Sequence, residues 1–289
     1  MWKSDVRSIR WPGASCGRVL SKAIENGRVM LLAIDAGNTN ISLGVFRGAE
    51  LIAHWRLTTE RRRTFDEYGA SVRSLFKISG IDHRALEAVA VASVIPPLNH
   101  SFQRMSEVYF NLTPLFVDHT TDTGMPILYD PPSSVGADRI VDAFAAVHKY
   151  GAPCIVVDFG TVTNFEAINE KGHYLGGVLA PGLNISADAL FERAPRLPRV
   201  EIKRPRTVIG SSTISSIQSG LYYGYVELVD GVLRRMREEL GGTARIVATG
   251  GLAPLVAGGS ELIEVVDDTL TLEGLRLIHE RQKTVMSDE

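Results

Sequence analysis

Two cysteines in 289 residues, Cys16 and Cys154, are too few for a disulfide framework. No C-x-x-C pair occurs, and His54, His83, His100, His119, His148, His173 and His279 are scattered without ligand spacing, so no zinc motif is present. A reducing cytoplasm suits such a chain. The net charge of -2 offers no basic footprint for nucleic acid. No apolar run reaches the roughly 20 residues that span a bilayer; the strongest candidate, ALEAVAVASVIPPL, stops at Pro96-Pro97. Neither G-x-x-x-x-G-K-[ST] nor a G-x-G-x-x-G after a strand occurs, which removes the two commonest nucleotide loops.

The composition, 45% hydrophobic and 22% charged, is that of a globular protein, and the length predicts two domains. The first 29 residues stand apart, with six basic residues against Asp5 and Glu25. They carry no apolar segment of the secretory kind. A targeting or nucleic-acid-binding arm is one reading; the simpler one, adopted here, is a floppy leader or an upstream start, with Met30 opening the folded part.

From Met30 the pattern predicts a three-strand meander, LLAIDAG, ISLGVFRG and LIAHWRLTT, with turns at Gly37-Asn38 and Arg47-Gly48. A helix over about Thr64 to Ser79, a buried strand at AVAVASVI, a helix across Phe102 to Tyr109 and a strand at LFVDH follow. The order then restarts. CIVVDFGT, NFEAIN and HYLGGVLAP form a second meander, followed by a long helix from about Ser212 to Leu240, a strand at RIVATGG, a short helix, a strand at LIEVVDD and a last helix at TLEGLRLIHER. In the long helix Ile214, Ile217, Leu221, Tyr225, Leu228, Val232 and Met236 recur at helical spacing and read as core. Tyr222, Tyr223 and Tyr225 leave room for part of that helix to pack on a second subunit. The run ERRRTFDE at 60 to 67 reads as a solvated loop and helix start. Asp35 and Asp158 head the two meanders, 123 positions apart, so the chain is a duplicated α/β unit with a cleft between similar walls. The expected limits are 30-148 for the N-terminal domain and 149-283 for the C-terminal one.

The turns have a definite chemical use. A strand delivers Asp35 to the sheet edge, Gly37 permits a tight turn, and the N-H groups that follow, with Asn38 and Thr39, can face phosphate oxygens. An Asp held there can orient hydrated Mg²⁺ through its waters. One D-x-G-x-T turn is weak, because such turns are rich in Asp, Gly and Asn for local reasons. Two in matching places weigh more. Thr249-Gly250-Gly251 is a third turn where a base or ribose can approach the backbone. In YDPPSSVGADRIVDAFAAVHKYG, Gly136 allows a turn and Ala137-Asp138-Arg139 open an amphipathic helix. Asp138 in its first turn is expected to stay ionised and so to suit a proton acceptor; the alternative is that it only complements the helix end, with Arg139 on the surface.

DAGNTN at 35-40, Y-D-P-P-x-x-x-G-A-D-R at 129-139, VDFGT at 157-161, GGVLAPG at 176-182, STISSIQSG at 212-220 and TGG at 249-251 occur in the order of type III pantothenate kinases, and the chain resembles that family from Met30 to about its last helix. The resemblance implies an α/β fold of two duplicated RNase H-like domains of the actin-like ATPase kind with a cleft between them. It implies transfer of the γ-phosphoryl of ATP to pantothenate, the first step toward coenzyme A. By matching position, Asp35, Ala36, Gly37, Asn38, Thr39, Asn40, Ile41 and Ser42 form the first ATP phosphate loop, with Asp35 addressing Mg²⁺ through water. Asp138 matches the catalytic base. Tyr129, Gly136, Ala137, Asp138 and Arg139 match the pantothenate pocket, Arg139 as partner of the carboxylate. Asp158 matches the residue that holds a monovalent cation, K⁺ or NH₄⁺, and Thr161 the hydroxyl on ATP phosphate. Thr213 matches a substrate contact supplied by a neighbouring subunit, which implies a homodimer.

The chain departs from the family where it usually reads G-T-A-T-T-F-D, having Val162, Asn164 and Glu166 within residues 160-166. Rival readings are a kinase of another small molecule on the same fold and a non-catalytic ATP-binding regulatory relative.

Overall fold

The computed structural model describes residues 29 to 288, so the leader expected over 1-29 lies, but for Val29, outside the described residues. The first meander is β1 (Met30–Ala36), β2 (Asn40–Arg47) and β3 (Glu50–Thr58). It is followed by α1 (Phe65–Ile78), β4 (Ala88–Ser93), α2 (Pro96–Phe110) and the two-residue β5 (Leu115–Phe116). Then α3 (Ala137–Tyr150) leads into β6 (Cys154–Phe159), β7 (Val162–Ile168) and β8 (Tyr174–Pro181). The chain ends with α4 (Leu183–Arg193), α5 (Thr213–Glu239), β9 (Arg245–Thr249), α6 (Ala253–Ala257), β10 (Val265–Val266) and α7 (Leu270–Asp288).

The sheets are ordered β3-β2-β1-β4-β5 and β8-β7-β6-β9-β10, the same sequence of strands twice. In each, the first strand pairs antiparallel with the second and parallel with the fourth. This is the RNase H-like arrangement, present in duplicate. Alternation along the central strands sorts their side chains to two faces. Leu32 and Ile34 of β1 pack under α1 and α2, while Leu31 and Ala33 face the opposite way. In β6, Ile155 and Val157 pack toward α5, and Cys154 and Val156 turn to the other side.

The two inward faces share one core, filled by α3 and by Leu270, Leu272, Leu275 and Ile278 of α7. A helix between two sheets is apolar nearly all round, and α3 buries every residue from Arg139 to Ala146. Its end is tied down: Lys149 Nζ lies 2.5 Å from Asp267 and 2.8 Å from Glu273, and the Tyr150 hydroxyl donates to Asp267 at 2.7 Å. The last helix therefore returns across the chain to pack on β1, β2 and β4 of the first sheet.

Several expectations shift in detail. The second helix starts at Pro96, earlier than Phe102, since proline is at home in a first turn. The strands expected at LFVDH and LIEVVDD shrink to two residues each, as edge strands do. In α5, Ile217, Tyr225 and Met236 are core as expected, but Ile214 and Leu228 are exposed and Tyr222, Val226, Val229 and Leu233 take the inner face. Tyr222 and Tyr225 are thus buried within this chain, not offered to a second one. Helix α4 has no counterpart among the expected elements.

Candidate active site

Asp35 ends β1 opposite Ser42 of β2 and beside Ala92 of β4, and Asp158 ends β6 opposite Asn164 and beside Thr249. Each carboxylate stands at the end of its central strand, partly open to the cleft. The first turn is closed by the Gly37 N–H donating to the Asn40 carbonyl at 3.0 Å, by the Thr59 hydroxyl donating to the Gly37 carbonyl at 2.6 Å, and by the Thr59 N–H donating to the Thr39 carbonyl at 2.9 Å. Asn38, Thr39 and Asn40 are exposed at its tip, and Arg61 donates to Asn38 Oδ1 at 3.2 Å. Ala36 and Ile41 point into the core, so only their backbone faces the cleft. Ser42 lies on the cleft side of the sheet. The two turns meet: the Thr39 and Thr161 hydroxyls are 2.8 Å apart, in hydrogen-bond contact across the cleft.

The Thr249-Gly250-Gly251 turn folds over Asp158. Gly250 has φ +90°, and a Cβ there would sit 2.4 Å from Asp158 Oδ1 and 2.7 Å from the Phe159 nitrogen, so a side chain would displace the carboxylate.

Helix α3 brings the third carboxylate. Gly136 is its N-cap, the Ala137 side chain is buried, and Asp138 Oδ1 accepts the Arg139 N–H at 2.8 Å. One turn later on the same face Asp142 joins the group, 3% exposed, with an Oδ1 that has no hydrogen-bond partner. The spacing of Asp138 and Asp142 is the helical i, i+4 repeat; the sequence reading missed Asp142 because it sat in an amphipathic run that needs no polar explanation.

Four carboxylates in one desolvated space disfavour their own charge. Burial, then the charges of Asp138 and Asp158, push Asp35 up to about 8, with Arg56 pulling the other way. Burial and then Asp138 and Glu166 push Asp158 up to about 7. Asp142 is raised well above the ordinary range by burial and then by Asp158. Asp138 too is raised, by burial first, against the bond from its helix. Burial thus works against the helix end at Asp138. Among the described residues no three His, Cys, Asp or Glu side chains are spaced to hold a metal ion by themselves. Hard oxygen donors at such spacing suit a hydrated cation, which Mg²⁺ prefers to remain.

Arg139 reaches toward β7, beside the cluster. Its Nε and Nη2 grip Glu166 of β7, Nε to Oε1 at 2.7 Å and Nη2 to Oε2 at 3.0 Å, and the Tyr174 hydroxyl donates to the same Oε2. The guanidinium lies over the rings of Tyr129, at 5.6 Å, and Tyr174, at 5.9 Å. Nη1 makes no hydrogen bond to a described residue. Tyr129 packs on Gly176 of β8, where φ is +122° and a Cβ would sit 2.9 Å from the ring. Arg139 is therefore a buried residue, not a surface one, and Glu166 takes both prongs of its fork. Thr213 stands elsewhere: it opens α5 and lines a groove of about 510 Å³ with Leu190, Leu197, Ile217 and Leu221.

Residues 31–235 match the model of the type III pantothenate kinase family. The chain belongs to that family. A type III pantothenate kinase from Koribacter versatilis is 53% identical over 265 residues, covering 88% of this chain and 97% of the relative. Another from Myxococcus xanthus is 56% identical over 252 residues, covering 87% and 98%. Among solved structures a Baf family protein from Campylobacter jejuni, 16% identical, superposes with a TM-score of 0.56 over 88% of this chain and 99% of its own. A reductive activator for a corrinoid, iron-sulfur protein, 12% identical, reaches 0.52 over 91% of this chain and 62% of its own. These two likenesses concern the fold alone. Like its type III pantothenate kinase relatives, the chain is a kinase, here an α/β chain with two five-stranded sheets of matching strand order, and among the described residues no helix is long and apolar enough to cross a membrane.

Proposed function

We propose that this kinase transfers the γ-phosphoryl of ATP to the primary hydroxyl of pantothenate, giving 4'-phosphopantothenate, with Asp138 as proton acceptor. The observation that carries this reading is the position of Asp138, half-buried in the first turn of α3 and within the electrostatic reach of both Asp35 and Asp158. A carboxylate whose pKa is raised is a stronger base for an alcohol proton than an ordinary one. The backbone of 35 to 42 and the Thr161 hydroxyl hold the ATP phosphates from the two walls. The contact between Thr39 and Thr161 supports that reading, since both hydroxyls already address one small space.

Pantothenate lies along Tyr129, the 136-137 backbone and Arg139, whose free Nη1 takes one carboxylate oxygen while Glu166 and Tyr174 hold the guanidinium still. Asp35 faces Mg²⁺ through water, and Asp158 a monovalent cation, K⁺ or NH₄⁺; the orphaned Oδ1 of Asp142 fits a site that receives positive charge. Cations there neutralise charge on the transferring phosphoryl group. The lobes that enclose the substrates are 30-148 and 149-283. Val208, Ile209 and Ile214, exposed apolar residues that lead into and open α5, flank Thr213 in the chain, which favours a homodimer in which Thr213 serves the partner's site. Function in the cytoplasm follows from this chemistry.

The test is a coupled assay of ADP release with pantothenate against a panel of sugars and acetate. Turnover with pantothenate alone is the expected result; turnover with another acceptor, or ATP binding with no turnover, refutes it.

A further inference from the structure

Arg56 has no place in any motif. On β3 it pairs with Ser42 of β2, which pairs with Asp35 of β1, so the three form one row across the sheet and share its cleft face. Trp55 and Leu57, its neighbours along the strand, pack on the opposite face. The side chain extends toward the other lobe: Nη1 lies 4.0 Å from where a Cβ of Gly251 would be. Its neighbour on that face, His54, feels the charge of Asp268, also from the C-terminal half. Arg56 is exposed and makes no hydrogen bond or ion pair with any described residue, although carboxylates crowd the cleft beside it.

A guanidinium left unpaired between Asp35 and the glycine turn at 250-251 is oriented for an anion that enters from solvent. We propose that Arg56 binds the polyphosphate tail of the nucleoside triphosphate, bridging the phosphate turn of the first lobe and the glycine turn of the second. The inference rests on the ATP reading above and adds to it a residue that takes the place of the lysine other nucleotide loops use. It requires a planar, permanently charged group, because two phosphate oxygens can be held at once only by a fork. Arg61, which is already bonded to Asn38 Oδ1, positions the turn and does not replace it.

Calorimetric titration of MgATP and of AMP into the wild type, Arg56→Gln, Arg56→Lys and Arg62→Gln tests this. Arg62 is an exposed arginine on the adjoining turn and controls for net charge. Losing a charge-assisted pair predicts MgATP affinity lower by roughly 10- to 100-fold in Arg56→Gln, with AMP affinity unchanged, partial recovery in Arg56→Lys and no effect in Arg62→Gln. Since Arg56 is exposed, thermal unfolding of the variants should match the wild type. Equal MgATP affinity in Arg56→Gln, an equal loss for AMP, or an equal loss in Arg62→Gln overturns the proposal. Absence of MgATP binding to the wild type overturns the ATP reading and this one with it.

Discussion

Replacing Asp158 by Asn should stabilise the ligand-free protein at pH 8 and leave it unchanged near pH 4. Asp158 makes no side-chain hydrogen bond that the amide would lose, and its carboxyl is pushed from 3.8 to about 7 by burial and by its acidic neighbours. The folded pKa is raised, so the folded state holds a proton that the unfolded chain releases once pH exceeds about 4. Below that, both states are protonated and there is no cost. Stability is therefore present at low pH, is lost as pH rises from about 4 to about 7, and is lowest above it. Three pKa units at 1.36 kcal/mol each set a ceiling of about 4 kcal/mol. Asp142 and Asp158 repel each other, so part of the relief is shared, and a gain of about 2 to 4 kcal/mol at pH 8 is expected. Urea unfolding at pH 4 and 8, with chelator and without K⁺ or NH₄⁺, measures it. A variant destabilised by the same amount at both pH values would refute the electrostatic account of the cluster.

Asp138→Asn should lower turnover by roughly 10²- to 10⁴-fold, the usual worth of a general base, while calorimetry shows MgATP binding retained. Glu166→Gln leaves the Arg139 guanidinium buried beside a neutral partner; it should cost about 3 to 5 kcal/mol in urea unfolding and raise KM for pantothenate more than KM for ATP. Exchanging K⁺ for Na⁺ should lower turnover in the wild type, and indifference to the ion would remove the role given to Asp158. Ile209→Glu, at an exposed apolar residue of the segment leading into α5, should shift the mass measured by light scattering from dimer to monomer and lower turnover with it.

The repeat was legible because it is written twice in the most constrained part of the fold. A strand buried on both faces has to read as LLAI or CIVV, and the turn after it has to use Asp and Gly. The helix starts expected near Thr64 and Ser212 agree with α1 and α5, where those residues cap the helices with the side-chain to backbone bonds their types supply. The inner face of α5 was less legible, because its stripe contains apolar residues on more than one side. Residues such as Ile214 and Leu228 satisfy the period without being buried. Asp142 and Arg56 were illegible for a different reason. Each lies on an ordinary element with no motif around it, and only the pairing of strands and the packing of α3 bring either to the carboxylates. Arg139 shows the converse: the motif marked it, but its grip on Glu166 depends on a strand 27 residues later.

The carboxylates raise a problem that the phosphate turns alone do not solve. ATP brings several negative charges to a cleft where Asp35, Asp138, Asp142 and Asp158 already disfavour their own ionisation. In a space of low effective dielectric such repulsion is large, and neither turn offers more than N–H dipoles and hydroxyls against it. Arg139 cannot help, since Glu166 cancels its charge. The needed positive charge has to come from bound cations and from Arg56, whose charge acts on Asp35 and which has no carboxylate partner among the described residues. Metal and nucleotide should then bind together far better than either does alone, and the acidic cluster, costly when empty, becomes the device that makes phosphate binding conditional on the cations. If MgATP and the monovalent cation bound independently in calorimetric titrations, that coupling would be absent and the cluster would need another explanation.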